Sequence, residues 1–480
     1  MSTPLATVAA PQCHTPMALL LAATLLAGCM PAHRQAPALA AIDAPSGWSV
    51  PAGAHAAVSD APIAQQWWRA FGDPALDGHV QAALTYNADL LSAGSRLDTA
   101  RAQLDLARAA IGPTLAGTLG LQAQRTLGAT GEATSRVAQP GLQASWEPDL
   151  WGRLHSQAGA AELRLSASEA DQAGVALAIA STTAQTYIGL LALEAQLQVT
   201  RDTAASRAEA LRIARDKASA GYTSQLQSTQ AESEYEAVLQ SLAQLQQAIA
   251  RQYNALRLLT GQPPAQRDGA QAQAARFARL QLPTVPVALP SELLRRRPDL
   301  AQAEALLAAS DASLQASRAA FLPQVALSAS LGALYTNALH YNPVAVWSLG
   351  GSVLAPLFVQ GRLQAQYDSS AAQRDQAAFA YRGAVLNALA EVENALVADA
   401  RLQEQMQHAT RRREVLARSL QYARDRYEAG YAAYLEELDA QRNLYQTEIE
   451  LINLRQSQLS NQLSLFKAVG GGWTAPNTPG

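Results

Sequence analysis

Apolar residues are spaced for helices through two long stretches of the chain, residues 149–262 and 357–475, that contain no proline. Both stretches are rich in Ala, Leu, Gln, Glu and Arg, which favour helices. Each is interrupted once by a Gly-Tyr pair, at Gly221 and at Gly430, where glycine can end a helix in the left-handed conformation. Among the predicted helices, two are about 68 residues and roughly 100 Å long. The predicted helices cover residues 75–110, 153–220, 222–259, 298–320, 362–429 and 434–468.

The first long helix carries two apolar stripes on opposite flanks. One stripe follows the spacing of a coiled coil, and the other is displaced from it by two residues, about 200° around a helix. Two opposed seams indicate a neighbouring helix on each side, as in a wall, and both a barrel of helices and a bundle fit this pattern. The first stripe contains Leu177, Ala184, Ile188, Leu191 and Ala195, and the second contains Ile179, Thr186, Leu190, Leu193 and Leu197.

Four shorter stretches alternate apolar and polar residues with a period of two, which predicts strands. Strands of a soluble sandwich alternate in the same way, so each stretch alone is a weak signal. Strands of about 9–12 residues that are apolar on one side and form hairpins are, however, typical of a membrane β-barrel. The two hairpins are predicted at about 114–149 and 324–357, with strands at 114–124, 142–147, 324–335 and 347–356.

The chain repeats one plan twice. The stretch RAAIGPTLAGTLGL at 108–121 resembles RAAFLPQVALSASL at 318–331, an offset of 210 residues. Likewise, ASAGYTSQL at 218–226 resembles YEAGYAAYL at 427–435, an offset of 209 residues. Such matches predict a tandem duplication with a period near 209 residues. The predicted parts are repeat 1 at 74–263, a linker or equatorial region at 264–290, repeat 2 at 291–470 and a C-terminal tail at 471–480.

Four strands are too few to cross a membrane alone. Every backbone N–H and C=O in lipid has to be paired, so a sheet there closes into a barrel, and the smallest usual barrels have about eight strands. Three copies of this chain would supply twelve strands. The pattern therefore predicts a homotrimer in which a membrane pore continues into a tube of helices.

The N-terminal region carries an export signal. The apolar run MALLLAATLLA at 17–27 is far shorter than the ~20 residues that span a bilayer, and it has the length of a signal-peptide apolar region. It leads into LAGC, which resembles the lipobox of bacterial lipoproteins, where the chain is cut before the lipid-bearing cysteine, here Cys29. No Lys or Arg precedes the run, a departure from that pattern, and an ordinary signal peptide is the alternative. We predict a signal peptide at 1–28 and a lipidated N-terminal segment at 29–73.

Composition excludes several classes of function. The net charge of -3 offers no electrostatic footprint for nucleic acid. After cleavage Cys29 is the only cysteine that remains, and it would carry lipid. The mature chain then has no disulfide and no cysteine nucleophile. The seven histidines are scattered and no catalytic motif is present, so we predict no enzyme activity, no cofactor and no metal site. The arginines at 295–297 are interpreted as a solvated or interdomain surface, and the aromatic residues Trp67, Trp68 and Phe71 as packing residues.

Several ordered motifs resemble one family. They are WWRAFGDPALDGHVQAALTYNADLLSAGSRLDTARAQL at 67–104, RRRPDLAQAEALLAASDASLQASRAAFLP at 295–323, YLEELDAQRNLY at 434–445 and LFKAVGGGW at 465–473. The chain is identified from these as similar to TolC-type outer-membrane factors, in the efflux-lipoprotein (NodT-like) branch. The resemblance covers nearly the whole mature chain. Met30 after the cysteine, in place of Asp, fits sorting to the outer membrane.

The resemblance implies a fold class and partners. The fold is mostly α with a small β part: a tandem-duplicated protomer giving a trimeric twelve-stranded outer-membrane β-barrel continued by a long periplasmic α-helical barrel. It implies a lipid-anchored protein in the outer membrane with a large periplasmic extension. It also implies docking to a periplasmic adaptor (membrane fusion) protein and an inner-membrane, proton-driven efflux transporter.

The resemblance also suggests a periplasmic gate at the far helix turns. The constriction of relatives maps onto Leu435, Asp439 and Arg442. A threefold ring of Asp439 braced by Arg442 is one interpretation, and an ordinary surface i,i+3 pair worth a few tenths of a kcal/mol is the other. Gln230 stands in repeat 1 where repeat 2 has Asp439, so a charged ring would come from one repeat only.

The same turns are the predicted adaptor contacts, at Gly221, Tyr222, Gly430 and Tyr431. The leading functional hypothesis is a passive exit duct for small molecules in a tripartite efflux pump. The alternatives are a periplasmic coiled-coil adaptor or structural lipoprotein, and the outer-membrane duct of a type I protein secretion system. The exported compound is not apparent from the sequence.

Overall fold

The computed structural model describes residues 31, 34–35, 37–43, 45–49, 56–59, 61–128, 131–265, 274–337 and 343–474. The predicted signal peptide and the predicted lipidation site, Cys29, lie outside these residues. The helices are α1 Pro74–Tyr86, α2 Ala88–Ala109, α3 Arg153–Ser219, α4 Gln225–Leu259, α5 Ala274–Arg279, α6 Pro290–Arg296, α7 Pro298–Ala319, α8 Arg362–Glu428 and α9 Tyr434–Ala468. The strands are β1 Ala56–Val58, β2 Thr114–Gly128, β3 Gly131–Trp146, β4 Val285–Val287, β5 Gln324–Thr336 and β6 Val344–Leu354.

The described residues fall into two compact units. The strand unit contains residues 98–166 and 304–381 with the described residues up to Ala41. The helix unit contains residues 42–97, 167–303 and the described residues from Arg382 onward. Each long helix contributes its first turns to the strand unit and the remainder to the helix unit.

The tandem duplication is confirmed by the lengths of the elements. Helices α3 and α8 both have 67 residues, and α4 and α9 both have 35 residues. Helices α2 and α7 both have 22 residues. The fold is therefore mostly α with a small β part, built from two copies of one plan, as the sequence predicts.

The predicted helix at 75–110 is wrong in one respect, because Asn87 divides it into α1 and α2. Asn87 is extended, with φ −67° and ψ 129°. Its side-chain oxygen accepts the N–H of Asp89 at 2.9 Å, which caps α2, and its amide donates to the carbonyl of Leu259 at 3.1 Å. These bonds provide hydrogen-bond partners for a backbone N–H at the start of α2 and for a backbone carbonyl at the end of α4.

The four-stranded sheet is antiparallel in the order β2-β3-β5-β6. Its strands have 11 to 16 residues, and all four are longer than predicted. The largest error is in β3, which begins at Gly131 although the alternation becomes regular only from Leu142. Pro140 explains part of this, since it has no N–H to donate, and the pairing of β3 with β5 omits Gln139 and Pro140.

The predicted linker at 264–290 contains structure that the pattern does not indicate. Helix α5 lies within it, and β4 pairs in parallel with β1, with Ala56 opposite Val285. Both β4 valines are fully buried in the helix unit. Three-residue strands are too short for an alternation signal, which is why the sequence does not predict this small sheet.

The aromatic residues near the start of the helix unit are packing residues, as interpreted. Trp67, Trp68 and Phe71 are all buried. The ring of Trp67 stacks on Phe466 of α9 with centroids 5.1 Å apart, and Phe71 lies 6.2 Å from the same ring.

The GGGW motif at 470–473 is explained by close backbone approach. Gly470, Gly471 and Gly472 all have positive φ. A Cβ on Gly470 would lie 1.9 Å from the carbonyl oxygen of Arg296, and one on Gly472 would lie 2.7 Å from that of Ile63. Only glycine fits a positive φ at such distances.

The interpretation of residues 295–297 as a surface cluster is wrong for Arg297, whose side chain is buried within the helix unit. Its guanidinium pairs with Asp299 and with Glu391, each at 2.7 Å, and donates to the carbonyl of Ala468 at 2.8 Å. Burial lowers the pKa of Arg297, but these bonds and charges outweigh it and raise the pKa overall. Arg297 therefore joins α7, α8 and the end of α9.

Among the described residues, α3 alone is long and apolar enough to cross a membrane by length and composition. Of its most apolar window, 61% is buried inside the protein, and a core helix passes the same test. Residues of both predicted stripes are buried there, including Ile188, Leu190 and Leu191. This burial favours a packed helix over a membrane span.

Candidate functional site

One face of the four-stranded sheet is apolar except near the β2–β3 turn, where charged side chains share the face. In an antiparallel sheet directly paired residues point to the same side. The register pairs Gly117 with Leu142, Leu142 with Leu331 and Leu331 with Trp347, so the four predicted apolar faces coincide. Its exposed large side chains include Leu115, Leu119, Leu121, Leu127, Leu142, Trp146, Leu327, Leu331, Tyr335, Trp347, Leu349 and Val353.

The opposite face of the sheet carries mostly small and polar side chains, with a few aliphatic residues near the ends of β5 and β6. Thr114 and Ser145 lie with their hydroxyl oxygens 2.7 Å apart, and those of Ser330 and Ser348 lie 2.8 Å apart. Strands β2 and β6 are the edges, each paired on one side only among the described residues. An exposed apolar face with open edges is unfavourable in water, and it suits lipid once the edges are paired.

The two Gly-Tyr turns have the same helix-ending geometry. The N–H of Tyr222 bonds to the carbonyl of Lys217 at 2.9 Å, and the N–H of Gly221 bonds to that of Ala218 at 3.1 Å. Gly430 and Tyr431 repeat both bonds at the end of α8, and both glycines have φ near +78°. This is the Schellman arrangement, which requires a left-handed residue at the glycine position.

Gly430→Ala is expected to destabilise the turn by about 1 kcal/mol, because a side chain is strained at this positive φ. Gly383→Ala is the matched control, since Gly383 lies inside α8 and a Cβ there would meet nothing within 4 Å. That control should be neutral or stabilising. Limited proteolysis at the turn, compared with thermal unfolding of the whole protein, measures both effects. Equal effects of Gly430→Ala and Gly383→Ala on proteolysis and on thermal unfolding would contradict the assignment of a strained glycine position at the turn.

Each turn exposes a tyrosine. Tyr222 is 83% exposed and Tyr431 is 81% exposed. Leu226 and Leu435 on the following helices are exposed as well. Exposed aromatic and aliphatic side chains of this size are typical of contact surfaces.

The predicted gate residues lie within the first three turns of α9. The guanidinium of Arg442 lies 3.4 Å from the carboxylate of Asp439, and both side chains are about half exposed. The same guanidinium also bonds to Glu234 of α4, 208 residues away in the sequence. The i,i+3 surface pair is therefore present, and Arg442 additionally joins the helix hairpins of the two repeats.

Glu234 is the centre of a network that sequence reasoning missed. Besides Arg442, it faces the buried Arg207 of α3, whose guanidinium lies 3.9 Å away. Arg207 donates to the side-chain oxygen of Gln441 at 2.6 Å, and Gln441 donates to Glu437 at 2.8 Å. The network thus connects α3, α4 and α9. No local motif marks it, because its members are brought together only by the packing of the two repeats.

Electrostatics favour the charged form of Glu234. The hydrogen bond from Arg442 lowers the pKa of the Glu234 carboxyl, burial opposes this, and the charges of Arg442 and Arg207 lower the pKa further. Burial lowers the pKa of Arg207, and the charge of Glu234 works against that shift. Glu234 therefore holds two guanidiniums that would otherwise repel each other.

An apolar cluster lies directly against this network. It contains Leu211, Ala214, Ala231, Tyr434 and Leu438, with Tyr235 and Tyr427 packed around it. The cluster includes residues of α3, α4 and α9, so polar and apolar contacts join the same helices. Leu435, the third predicted gate residue, remains half exposed beside it.

No group of three or more His, Cys, Asp or Glu side chains in the described part of the chain is arranged to hold a metal ion. The candidate site is thus an apolar sheet face at one place and a charged helix junction with exposed turns at another. This arrangement suits a structural and binding role.

Residues 79–262 and 289–471 match the outer membrane efflux protein family. The two matched segments cover more than half of the chain and correspond to the two repeats. They include the sheet, the long helices, both turns and the charged junction.

Curated relatives and solved structures agree with this match. The pyoverdine export outer membrane protein OpmQ of Pseudomonas aeruginosa is 35% identical over 466 residues, which are 95% of this chain and 97% of that protein. The cation efflux system protein CusC of Escherichia coli is 32% identical over 410 residues, 85% of this chain and 88% of that protein. The structure of the outer-membrane channel OprN matches with a TM-score of 0.83 at 26% identity, covering 92% of this chain and 99% of that one.

Proposed function

The chain belongs to the outer membrane efflux protein family, and on this basis we propose that it is the outer-membrane channel of a tripartite efflux pump. It is a passive exit duct for small molecules, which an inner-membrane, proton-driven transporter passes on through a periplasmic adaptor. We assign no reaction to the chain, so the energy for transport comes from the transporter. Family membership favours this role over that of a coiled-coil adaptor.

The apolar sheet face carries this proposal. It places most of the large aliphatic and aromatic side chains of β2, β3, β5 and β6 on one side, and mostly small polar side chains on the other. Lipid is the environment that suits the first side, and a water-filled lumen suits the second.

The protomer works as a homotrimer. Strands β2 and β6 are unpaired at their outer sides among the described residues, so one copy can pair its β6 with β2 of the next. Three copies close twelve strands without an open edge, as a membrane requires. Lipidation at Cys29 would add an anchor to the same membrane.

The helix turns form the periplasmic gate and the adaptor contact. Leu435, Asp439 and Arg442 line the gate, which the link from Arg442 to Glu234 holds closed. The exposed Tyr222 and Tyr431, with the glycines before them, meet the adaptor. The relatives' names include pyoverdine and cation export, so membership of the family does not define the exported compound.

Two adjacent residues of β6 test the membrane assignment. Leu349→Arg places a charge on the apolar face near the middle of the strand and is expected to cost about 2 kcal/mol per protomer. Ser348→Arg places the same charge on the polar face and should be tolerated. The measurement is the yield of detergent-extracted trimer from outer membranes, together with its conductance in planar bilayers.

The proposal has a clear contrary outcome. A protein that is released from cells without detergent as a stable single subunit would exclude a membrane duct. So would equal trimer yields for Leu349→Arg and Ser348→Arg, because lipid would then not distinguish the two faces of the sheet.

A further inference from the structure

A cavity of about 460 Å³ lies within the strand unit, among α3, α7 and α8 at the ends of β5 and β6. Three arginines line it, Arg153, Arg164 and Arg362, and none of its lining residues is Asp or Glu. Serine and glutamine side chains of the lining supply further hydrogen-bonding groups. A concave site with this excess of positive charge attracts anions.

The cavity lies on the polar side of the sheet. Its two strand residues, Gln324 and Leu354, are paired with each other. Side chains alternate between the two faces along a strand, so this pair lies on the same face as the paired serines Ser330 and Ser348. In the proposed function this face lines the water-filled lumen. The cavity is therefore a recess in the wall of the duct, at the helix-side end of the strands.

The polar face of the sheet has no charged side chain among the described residues. Strands β2, β3, β5 and β6 contain three charged residues, Arg125, Glu132 and Arg136. Register and alternation place all three on the apolar face, with Arg136 opposite Ala123 and Glu132 opposite Leu127. The guanidiniums of the cavity therefore meet no opposing charge on the lumen side of these strands, and they set the sign of the local potential.

The arginines of the cavity are only partly satisfied by protein groups. Arg153 pairs with Glu147 at 2.7 Å, but its Nε is buried without a hydrogen-bond partner among the described residues. Arg164 donates to the hydroxyl of Ser313 at 2.9 Å. In the described part of the chain, neither Arg164 nor Arg362 forms an ion pair with a carboxylate. A guanidinium has five N–H donors, so the cavity offers an anion several donors and an uncompensated positive charge.

We propose that this cavity binds the carboxylate or phosphate groups of solutes and gives the duct a preference for anions. The proposal rests on the proposed function, because it requires the polar face of the sheet to line a lumen. In a trimer each protomer contributes the unpaired guanidiniums of Arg164 and Arg362 to one ring. Rings of Arg or Lys side chains select anions in pores. Guanidiniums suit carboxylate and phosphate oxygens because they donate two parallel hydrogen bonds.

Ion selectivity is the first test. The full chain is purified as a trimer in detergent and reconstituted in planar bilayers, and the reversal potential is measured across a KCl gradient. The unmodified channel should pass Cl⁻ more readily than K⁺. The double variant Arg164→Gln/Arg362→Gln should lower the Cl⁻/K⁺ permeability ratio by about threefold or more, because the local concentration of counter-ions falls with the charge that attracts them.

Two further variants separate the position of the charge from its loss. Arg125→Gln/Arg136→Gln is the matched control, since it removes the same charge from exposed positions on the opposite face of the sheet. It should leave the permeability ratio unchanged. Arg164→Lys/Arg362→Lys keeps the charge in the cavity and should retain the anion preference. An equal loss of preference in the lysine and glutamine variants would show that packing and not charge is responsible, and would contradict the proposal.

Anion binding is measured separately, by isothermal titration calorimetry of the detergent-solubilised trimer with inorganic pyrophosphate. Arg164→Gln/Arg362→Gln is expected to weaken this binding about tenfold. The lysine variant should weaken it less, since lysine keeps the charge and loses only the planar fork of donors. The control Arg125→Gln/Arg136→Gln should change it less than about twofold.

The outcomes distinguish this inference from the proposed function. Conduction without anion preference, or an anion preference that survives Arg164→Gln/Arg362→Gln, overturns the inference and leaves the duct in place. Absence of pyrophosphate binding to the unmodified trimer also overturns it. Pyrophosphate binding that depends on Arg164 and Arg362, in a protein that does not conduct, counts against the duct and not against the anion site.

Discussion

Replacing Glu234 by glutamine is expected to open the periplasmic end of the duct and to raise its conductance more than any other single substitution. Glu234 neutralises Arg442 and faces Arg207, which lies 3.9 Å away. Without its charge the two guanidiniums lose their shared anion, and the link between the α4 and α9 hairpins is weakened. The size of the effect follows from symmetry.

A hydrogen bond between charged groups contributes about 1.5–3 kcal/mol. The trimer would lose this contribution once in each protomer, which is roughly 4.5–9 kcal/mol in total. About 5.5 kcal/mol moves a two-state equilibrium from mostly closed to mostly open. A predominantly closed channel should therefore become predominantly open. Single-channel recording in planar bilayers measures the change directly.

The pH dependence provides an internal check on this prediction. The pKa of Glu234 is lowered in the folded protein, first by the hydrogen bond from Arg442. The link is therefore present above the ordinary Glu pKa of about 4.3 and is lost as the pH falls through the lower folded value. Conductance of the unmodified channel should rise in this acid range, and that of the Glu234→Gln variant should not.

Glu236→Gln is the matched control, since Glu236 is an exposed residue of the same helix. It should leave conductance unchanged. The double variant Glu234→Gln/Arg442→Gln should open the channel no further than Glu234→Gln alone if the two residues act as one link. Unchanged conductance in Glu234→Gln would show that the link persists in both states and does not gate the duct.

Much of the fold can be predicted from local pattern. Gly221 and Gly430 mark the ends of the long helices because the turn needs a positive φ that glycine adopts most easily. The strands are predicted from alternation, and the repeat is predicted because both copies retain these marks. Local chemistry therefore determines where the elements begin and end.

Features that depend on packing could not be predicted. Asn87 ends a helix because its side chain bonds to the distant Leu259, and the sequence around it remains compatible with helix. Glu234 meets Arg442 across 208 residues, and neither position stands out from the other charged residues of α4 and α9. The predicted gate residues on α9 follow from resemblance to the family, whereas their contacts on α3 and α4 required the structure.

Arg297→Ala is expected to have the largest effect on stability, about 3 kcal/mol. The substitution removes the contacts to Asp299 and Glu391, each at 2.7 Å, and leaves the carbonyl of Ala468 without its donor. Both carboxylates are about half exposed and regain water when the guanidinium is removed. The loss of stability therefore stays near the lower end of the range for breaking a buried ion pair. Thermal unfolding of the detergent-solubilised protein measures it.

The neighbouring Arg295 supplies the control, because its side chain is exposed on α6, which ends just before Arg297. Arg295→Ala should change stability by no more than about 0.5 kcal/mol. The difference matters for function because Arg297 holds the end of α9 just before Gly470, whose backbone lies against Arg296. Loosening this end should lower the amount of folded protein without raising the conductance of the channels that do form. Increased conductance in Arg297→Ala would instead place Arg297 in the gating machinery and contradict a purely structural role.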